Sequence, residues 1–137
     1  QRLLETWTDA RSDKVAHLRQ HPRMSWLFYD HQKKEQVRMQ GGASLHHQDE
    51  LCRHVWPGVT KRGDYLGRHR PGTAIASPAD NTAALSEAEA DEQGFANFCI
   101  IRTVVDGFTW LKLQKEAHLR AQFRWQNDRW QGQWIAT

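Results

Sequence analysis

The chain has 137 residues, of which 39% are hydrophobic and 26% are charged. This size and balance are typical of one globular domain and exclude wholesale disorder, and no apolar run of about 20 residues offers a transmembrane helix. Nineteen basic against sixteen acidic residues leave a net charge of +3, a smaller excess than nucleic-acid-binding proteins usually carry.

The two cysteines, Cys52 and Cys99, are too few for a disulfide framework or a cysteine zinc cluster. A reducing, cytoplasmic setting fits them, and both are predicted to be buried thiols rather than nucleophiles. His17 and His21 have the i, i+4 spacing of a helical metal pair, but the chain offers no further ligands at a suitable spacing. We therefore expect no metal site.

Four elements are predicted in the first third of the chain. They are a strand over 2–8, a helix capped by Asp9 or Ser12 and ending near His21, a buried strand over 24–29 and a half-buried strand over 35–45. The Gly41-Gly42 pair in the last of these strands indicates a bulge or a close approach of two backbones.

The middle of the chain predicts two short helices, followed by a change of composition. The helices are expected over 48–55, capped from His47 or Gln48, and over 59–66. Residues 67–94 are rich in Pro, Gly, Ala, Ser and acidic side chains, and they are expected to be a loop insertion. Within this segment, residues 77–92 form either a mobile loop or a surface helix.

The last third of the chain predicts an antiparallel meander. Strands are expected over 95–106 and 108–114 around an Asp106-Gly107 turn, and over 118–126 and 130–135 around an Asn127-Asp128 turn. Strands with a few short helices predict a mainly β domain, either a β-barrel or a sheet-rich α+β fold.

The segment from Thr8 to Lys14 joins the first predicted strand to the first predicted helix. Free backbone N–H groups at a helix start favour an anion, and Arg11, Ser12 and Lys14 carry groups that bind phosphate. The alternative is that Ser12 only caps the helix, while Arg11 and Lys14 are solvated.

Two further sets of side chains suit a planar ligand. Gln36 and Arg38 share one face of their strand, where an amide can both donate to and accept from a polar heterocycle; an ordinary solvent face is the alternative. Aromatic residues of the last third stack either on a ligand or in the core of a sheet. These residues are Trp110, Phe123 and Trp125, together with Trp130 and Trp134, which are predicted to be structural.

Four segments together resemble the pyridoxamine 5'-phosphate oxidase family. They are Thr8-Asp9-Ala10-Arg11-Ser12-Asp13-Lys14-Val15, Leu18 followed by His21-Pro22-Arg23, Leu27-Phe28-Tyr29-Asp30 and Gln36-Val37-Arg38-Met39-Gln40-Gly41. Trp110 and the runs His118 to Phe123 and Trp130 to Trp134 are similar to a less-characterised flavin-binding branch of that family. The resemblance covers residues 3–75 and 95–137.

The resemblance implies a split β-barrel of the FMN-binding type, an antiparallel Greek-key-like barrel, with FMN at a homodimer interface. It implies that Ser12 and Lys14 hold the FMN phosphate and that Thr8 contacts the flavin or its phosphate. The other implied cofactor contacts are Arg11 at the phosphate, Gln36 at the isoalloxazine ring or its chain, Trp110 beside the flavin from the other subunit, and Arg120 as a polar contact.

The phosphate-binding residues depart from the family pattern. Asp13 stands where the family has an arginine between its serine and its lysine, and Gln122 replaces a late arginine. Both changes remove positive charge from the phosphate site, where charge-assisted contacts are the strong ones. Arg11 is expected to compensate for Asp13. The family's first strand, with its Arg and Lys phosphate pair, is expected to be absent from this sequence.

The substrate-binding residues depart further. Positions that grip the substrate phosphate in true pyridoxamine 5'-phosphate oxidases read Trp56, Thr60 and Asp64 here, and the late Arg-x-His pair is reversed as His118 and Arg120. An aspartate repels a phosphate dianion. We therefore expect a family member that is not a true pyridoxamine 5'-phosphate oxidase, with His118 as a weak candidate for a substrate contact.

These observations predict a single split-barrel domain over 1–137 that acts as an FMN-dependent oxidoreductase on an unknown small-molecule substrate. The alternative is a non-catalytic flavin- or haem-binding module on the same barrel. Neither a nucleic-acid nor a membrane partner is expected, because the basic clusters Lys33-Lys34 and Arg68-His69-Arg70 indicate solvated loops.

Overall fold

A computed structural model describes residues 1–137. The strands are β1 (Leu3–Asp9), β2 (Arg23–Asp30), β3 (Glu35–His47), β4 (Phe98–Lys112), β5 (Leu119–Gln126) and β6 (Arg129–Trp134). The helices are α1 (Asp13–Gln20), α2 (Glu50–Val55) and α3 (Glu87–Asn97), and short 3-10 helices cover Trp56–Gly58, Arg62–Tyr65 and Pro78–Asn81.

The six strands form one sheet in the order β2-β3-β4-β5-β6, and β1 pairs with β4. The pairs β2–β3, β4–β5 and β5–β6 are all antiparallel. Strands account for 42% of the residues and helices for 26%. The predicted class, mainly antiparallel β with short helices, is therefore confirmed.

The chain divides into two compact units by its internal contacts. The strand unit comprises Gln1–Leu4, Arg23–Ala43 and Thr103–Thr137, and the helical unit comprises Glu5–Pro22 and Ser44–Arg102. The expectation of one split-barrel domain over 1–137, with a loop insertion at 67–94, stays a prediction.

The core aromatic cluster of the helical unit consists of Trp56, Tyr65, Phe95 and Phe98. Tyr65 meets both Trp56 and Phe98 edge-on, with ring centroids 5.8 Å and 5.3 Å apart. Edge-to-face aromatic pairs add to the free energy that burial of their apolar surface supplies. Phe98 is fully buried and Trp56 is 5% exposed, so this cluster forms the inside of the helical unit.

The hairpin aromatic face of the strand unit consists of Phe108, Trp110, Phe123, Trp130 and Trp134. Phe108 and Phe123 pair across β4 and β5, and their rings stack at 4.5 Å, while Trp130 meets Phe108 edge-on at 4.9 Å. Trp110 and Trp134 are edge-on neighbours at 6.4 Å. The period-2 alternation of the three strands places all five rings on one face.

Two backbone features predicted from glycine and asparagine occur as expected. A Cβ on Gly41 would lie 1.9 Å from the carbonyl oxygen of Val104, so the close approach of two backbones is confirmed at that position. Asn127 and Asp128 have φ angles of 53° and 60° and form the two-residue turn between β5 and β6. Two positive φ angles are typical of the turn that matches the twist of a hairpin.

The predicted turn at Asp106-Gly107 is wrong, because β4 continues through it. Gly107 pairs with Arg124 of β5, and the Asp106 carboxylate accepts two hydrogen bonds from Arg23 at 2.8 Å and 2.9 Å. A Cβ on Gly107 would lie 3.3 Å from the Gln40 amide, so glycine here permits close packing rather than a turn.

The predicted burial of the second strand is also wrong. Leu27 is 59% exposed and Phe28 is 45% exposed, although successive side chains of a strand point to opposite faces, so neither face of β2 is covered at this point of the sheet. Trp134, predicted to be structural, is 72% exposed on β6, an edge strand. Local hydrophobicity predicted these strands correctly, but not which faces the sheet leaves uncovered.

The helical segments differ from prediction both in type and in their ends. The helix predicted over 59–66 is a 3-10 helix over Arg62–Tyr65, and residues 95–97, predicted to begin a strand, belong to α3. α2 is capped by Asp49, whose side chain accepts a hydrogen bond from the Cys52 backbone N–H, and not by His47 or Gln48. Residues 77–92, predicted to be either a mobile loop or a surface helix, contain a 3-10 helix over Pro78–Asn81 and the start of α3 at Glu87, with no helix between them. α3 begins at Glu87 because Ser86 and Glu89 form a reciprocal capping box.

Candidate functional site

The turn between β1 and α1 leaves one buried polar atom without a partner. Ser12 occupies the N-cap position of α1, but its side chain makes no capping hydrogen bond. Its Oγ is buried and has no hydrogen-bond partner. The backbone N–H groups of Asp13 and Lys14 also have no acceptor, whereas that of Val15 donates to the Ser12 carbonyl at 3.2 Å, so this turn presents three unsatisfied donors together. The alternative that Ser12 acts as an ordinary side-chain cap does not match this geometry.

The charged residues of the first turn of α1 have different partners. Lys14 is exposed and forms no ion pair or side-chain hydrogen bond. Asp13 pairs with Arg70, which lies 57 residues further along the chain. Sequence reasoning saw Arg70 only as part of a solvated basic cluster, since no local pattern connects it to α1.

Arg11 is held within the chain by Asp9. Its Nε and Nη2 donate to the two carboxylate oxygens of Asp9 at 3.0 Å and 2.7 Å, and its Nη1 donates to the Gly67 carbonyl at 3.0 Å. The hydrogen bonds to Asp9 raise the pKa of the Arg11 guanidinium above its ordinary value. Two of its five N–H donors remain for a ligand, and its predicted role at the phosphate stays a prediction.

Thr8 is buried at the end of β1, one residue before the buried Asp9. Beside this strand end, Asp9, Arg11, Gly67 and Arg70 contribute to the lining of a pocket of about 360 Å³. The pocket therefore carries both positive and negative side chains.

Two candidate flavin contacts lie in the strand unit on β3 and β4. Gln36 is half-buried opposite Tyr29, and its amide makes no side-chain hydrogen bond. Trp110 contributes to an apolar pocket of about 590 Å³ that is also lined by Phe123 and Trp134. An unpartnered amide and an accessible indole face are groups that suit a planar heterocycle with a polar edge.

The remaining candidates are at the start of β5. Arg120 is exposed opposite Leu111, and its guanidinium has no partner in the chain. His118 is exposed just before the strand, where its Nδ1 accepts a hydrogen bond from the Gln114 N–H at 3.2 Å. Thr8, Arg11, Ser12 and Lys14 thus belong to the helical unit, and Gln36, Trp110, His118 and Arg120 to the strand unit.

Trp56, Thr60 and Asp64 stand where true pyridoxamine 5'-phosphate oxidases bind the substrate phosphate, and they do not share one environment here. Trp56 is in the core aromatic cluster and donates from Nε1 to Asp91 at 3.0 Å. Thr60 and Asp64 line a pocket of about 480 Å³ together with Trp7, and Asp64 also lines the pocket of about 360 Å³ beside Arg11 and Arg70.

Both cysteines are buried free thiols, as predicted. Cys52 lies in the first turn of α2, a position that sequence reasoning did not assign to it. Burial, followed by the nearby Asp49, raises the pKa of the Cys52 thiol to about 11, and burial also raises that of Cys99. Neither thiol has the lowered pKa that a nucleophile requires.

No group of three or more His, Cys, Asp or Glu side chains in the chain is arranged to hold a metal ion. None of the helices has the length and apolarity that a membrane crossing requires.

The comparisons with known proteins concern both the sequence and the fold. The family model of the pyridoxamine 5'-phosphate oxidase FMN-binding domain matches residues 1–47, which is less than half of the chain. Comparison with curated proteins gives no significant match.

Two solved structures are similar over nearly the whole chain. A pyridoxamine 5'-phosphate oxidase-related, FMN binding protein from Nostoc punctiforme PCC 73102 shares 22% identity at a TM-score of 0.68, covering 98% of this chain and 73% of that one. PhzG from Burkholderia lata 383, solved in complex with tetrahydrophenazine-1-carboxylic acid, shares 16% identity at a TM-score of 0.73, covering 99% and 69%.

At these identities the two structures establish the fold, and the predicted split-barrel architecture is confirmed. Residues 1–47 are thus similar to the FMN-binding domain of the pyridoxamine 5'-phosphate oxidase family, in agreement with the resemblance seen in the sequence.

Proposed function

We propose that this protein binds FMN and is an oxidoreductase whose redox chemistry is that of the flavin. The observation that carries the proposal is the buried, unpartnered hydroxyl of Ser12 at the start of α1. It lies in the segment that the FMN-binding family model matches. A buried polar atom without a partner is costly, and a bound ligand removes that cost.

The start of α1 fits the phosphate of FMN. The hydroxyl of Ser12 and the free N–H groups of the first helical turn donate hydrogen bonds to phosphate oxygens. Lys14 adds a positive charge that no carboxylate of the chain neutralises. Such charge-assisted contacts are about twice as strong as neutral ones.

The strand unit fits the ring system. The unpartnered amide of Gln36 suits the polar edge of an isoalloxazine, which has both donors and acceptors. Trp110 offers an accessible aromatic surface in an apolar pocket. Bound FMN supplies two-electron redox chemistry, and these residues supply binding and orientation. No side chain is assigned as a catalytic acid or base.

The first test is an absorption spectrum of the purified protein, followed by titration of the apoprotein with FMN. Lys14→Ala is expected to weaken FMN binding about tenfold, because it removes one charge-assisted contact. Lys33→Ala is the matched control, since Lys33 is an exposed lysine of the β2–β3 turn. Equal affinities of the two variants would remove Lys14 from the site. No FMN affinity in the unaltered chain would reject the proposal.

A second pair of variants tests the ring contact. Gln36→Ala is expected to weaken binding of FMN and of riboflavin alike, because the amide faces the ring and not the phosphate. Gln126→Ala is its control, as an exposed glutamine on β5. A Gln36→Ala loss confined to FMN would instead place this amide at the phosphate.

A homodimer is part of the proposal, and exposed apolar surface supports it. Trp134 is 72% exposed beside the apolar pocket that Trp110 lines. Large exposed apolar patches mark interaction surfaces. Trp134→Ala is expected to shift dimer to monomer in sedimentation velocity, whereas Leu27→Ala, which removes an exposed leucine of β2, is not. An unaltered chain that sediments only as a monomer would contradict the proposed homodimer.

Turnover tests the oxidoreductase part separately. The FMN-loaded protein is expected to accept electrons from NAD(P)H or another two-electron donor. Tightly bound FMN without any turnover would favour the non-catalytic alternative.

Asp64, exposed and without an ion-pair partner, supports a substrate other than a vitamin B6 phosphate. A reducing, cytoplasmic setting is supported by Cys52 and Cys99, the two buried free thiols.

A further inference from the structure

The phosphate site at the start of α1 has a charge deficit. Asp13 begins the helix between Ser12 and Lys14, and its carboxylate is 68% exposed. A phosphate ester carries about −1.5 to −2 charge at neutral pH, so Asp13 offsets the attraction that Lys14 supplies. A site that holds phosphate on these residues needs a further cation.

Arg70 is the cation that the fold brings to this position. Its Nη2 donates to Oδ1 of Asp13, which is the only hydrogen bond of its side chain. A guanidinium has five N–H donors, so four remain available to a second acceptor. Arginine is also the side chain whose donor geometry best matches phosphate oxygens.

The backbone just before Arg70 is held in place by two long-range hydrogen bonds. Arg11 donates to the Gly67 carbonyl at 3.0 Å, and the Arg68 N–H donates to the Asn81 carbonyl at 2.9 Å. The carbonyl of Arg70 itself accepts a hydrogen bond that closes a turn. The pairing with Asp13 is therefore not the contact of an unattached loop.

We propose that Arg70, paired with Asp13, is a phosphate-binding residue that replaces the positive charge which Asp13 removes. This inference rests on the proposed FMN site. It assigns to that site a residue outside the segment matched by the family model, which ends at residue 47.

The test compares FMN with riboflavin, which lacks the phosphate. Arg70→Ala is expected to raise the Kd for FMN about tenfold and to leave the Kd for riboflavin unchanged. Arg68→Ala is the matched control, because Arg68 is an exposed arginine two residues away without a side-chain partner. Identical FMN affinities of Arg70→Ala and Arg68→Ala would overturn the inference.

A background without the ion pair separates phosphate binding from a role in holding the loop. In an Asp13→Asn background, where Arg70 has no carboxylate partner on α1, Arg70→Ala is expected still to weaken FMN binding about tenfold, because the guanidinium contacts the phosphate directly. A role in holding the loop through the ion pair predicts no further loss in that background. Absence of a further loss would therefore overturn phosphate binding by Arg70.

Inorganic phosphate distinguishes failure of this inference from failure of the proposed function. If the unaltered chain and Arg70→Ala bind FMN with equal affinity, the FMN proposal stands and the phosphate-binding role of Arg70 is rejected. Unaltered chain that binds no FMN rejects the proposed function. In that case, phosphate-induced thermal stabilisation that Arg70→Ala abolishes would support an anion site at Arg70, and no stabilisation of the unaltered chain would reject it.

Discussion

In the core aromatic cluster of the helical unit Phe98 is fully buried and Trp56 is 5% exposed, whereas Trp134 of the hairpin aromatic face is 72% exposed. The core cluster comes from two 3-10 helices, α3 and the start of β4, whereas the hairpin face comes from three neighbouring strands. The core cluster is enclosed by α2, two 3-10 helices and β4, while the hairpin face has a pocket open to solvent. Aromatic content alone therefore does not distinguish a core from a binding surface; the covering elements do.

The largest expected effect of this difference is on stability. Phe98→Ala is expected to cost about 3–5 kcal/mol of unfolding free energy, because it opens a cavity in a closed core. Trp134→Ala is expected to cost less than about 1 kcal/mol. Urea unfolding followed by circular dichroism measures both, at one dilute protein concentration because dimerisation adds apparent stability. Similar costs for the two variants would contradict the stated difference between an enclosed core and an open surface.

A matched pair of glycines gives a smaller effect. A Cβ on Gly94 would lie 2.8 Å from the ring of Trp56, and one on Gly132 would lie 2.5 Å from the ring of Phe123. Gly94→Ala is expected to cost about 1–3 kcal/mol, since the buried Trp56 ring has no room to move. Gly132→Ala is expected to cost less, because Phe123 borders an open pocket. Gly63→Ala, with nothing within 4 Å of the added Cβ, is the control in thermal unfolding.

The smallest expected effect is that of pH on the cap of α2. The hydrogen bond from the Cys52 N–H, at 3.0 Å, lowers the pKa of Asp49 below its ordinary value of 3.8. A carboxylate with a lowered pKa stabilises the folded state above the ordinary value, and this stability is lost as the pH falls through the lowered pKa.

Asp49→Asn is therefore expected to flatten the acid side of the stability profile by less than about 1 kcal/mol, because the carboxylate is partly exposed. The profile is measured by urea unfolding between pH 2 and 6. Asp106→Asn gives the matching measurement in the strand unit, since the hydrogen bonds from Arg23 lower the pKa of Asp106. An unchanged profile for Asp49→Asn would show that the cap makes no ionic contribution.

Sequence reasoning predicted those parts of the fold that depend on near neighbours. Pro22 ends α1, and Asn127-Asp128 closes the β5–β6 hairpin, because each acts through the dihedral angles of adjacent residues. Asp106-Gly107 has the same local signal as a turn. Its role in a continuous strand depends on Arg23 and on β5, which the local pattern does not contain.

The candidate site was predictable to the same extent. Ser12 and Lys14 follow from the strand–helix junction and its motif. The ion pair of Arg70 with Asp13 joins residues 57 positions apart, and the capture of Arg11 by Asp9 competes with its predicted ligand. Whether an arginine binds a carboxylate of its own chain or a ligand depends on tertiary geometry, which a local sequence pattern does not contain.

The unequal exposure of the tryptophans also has an optical consequence. Indole fluorescence lies at longer wavelength when the ring contacts water, so in a sample dilute enough to hold single chains Trp134 contributes the red side of the emission band and the enclosed Trp56 the blue side. A water-soluble quencher such as acrylamide reaches the exposed ring first. Added stepwise to the folded protein, it dims the emission and at the same time moves the maximum to shorter wavelength.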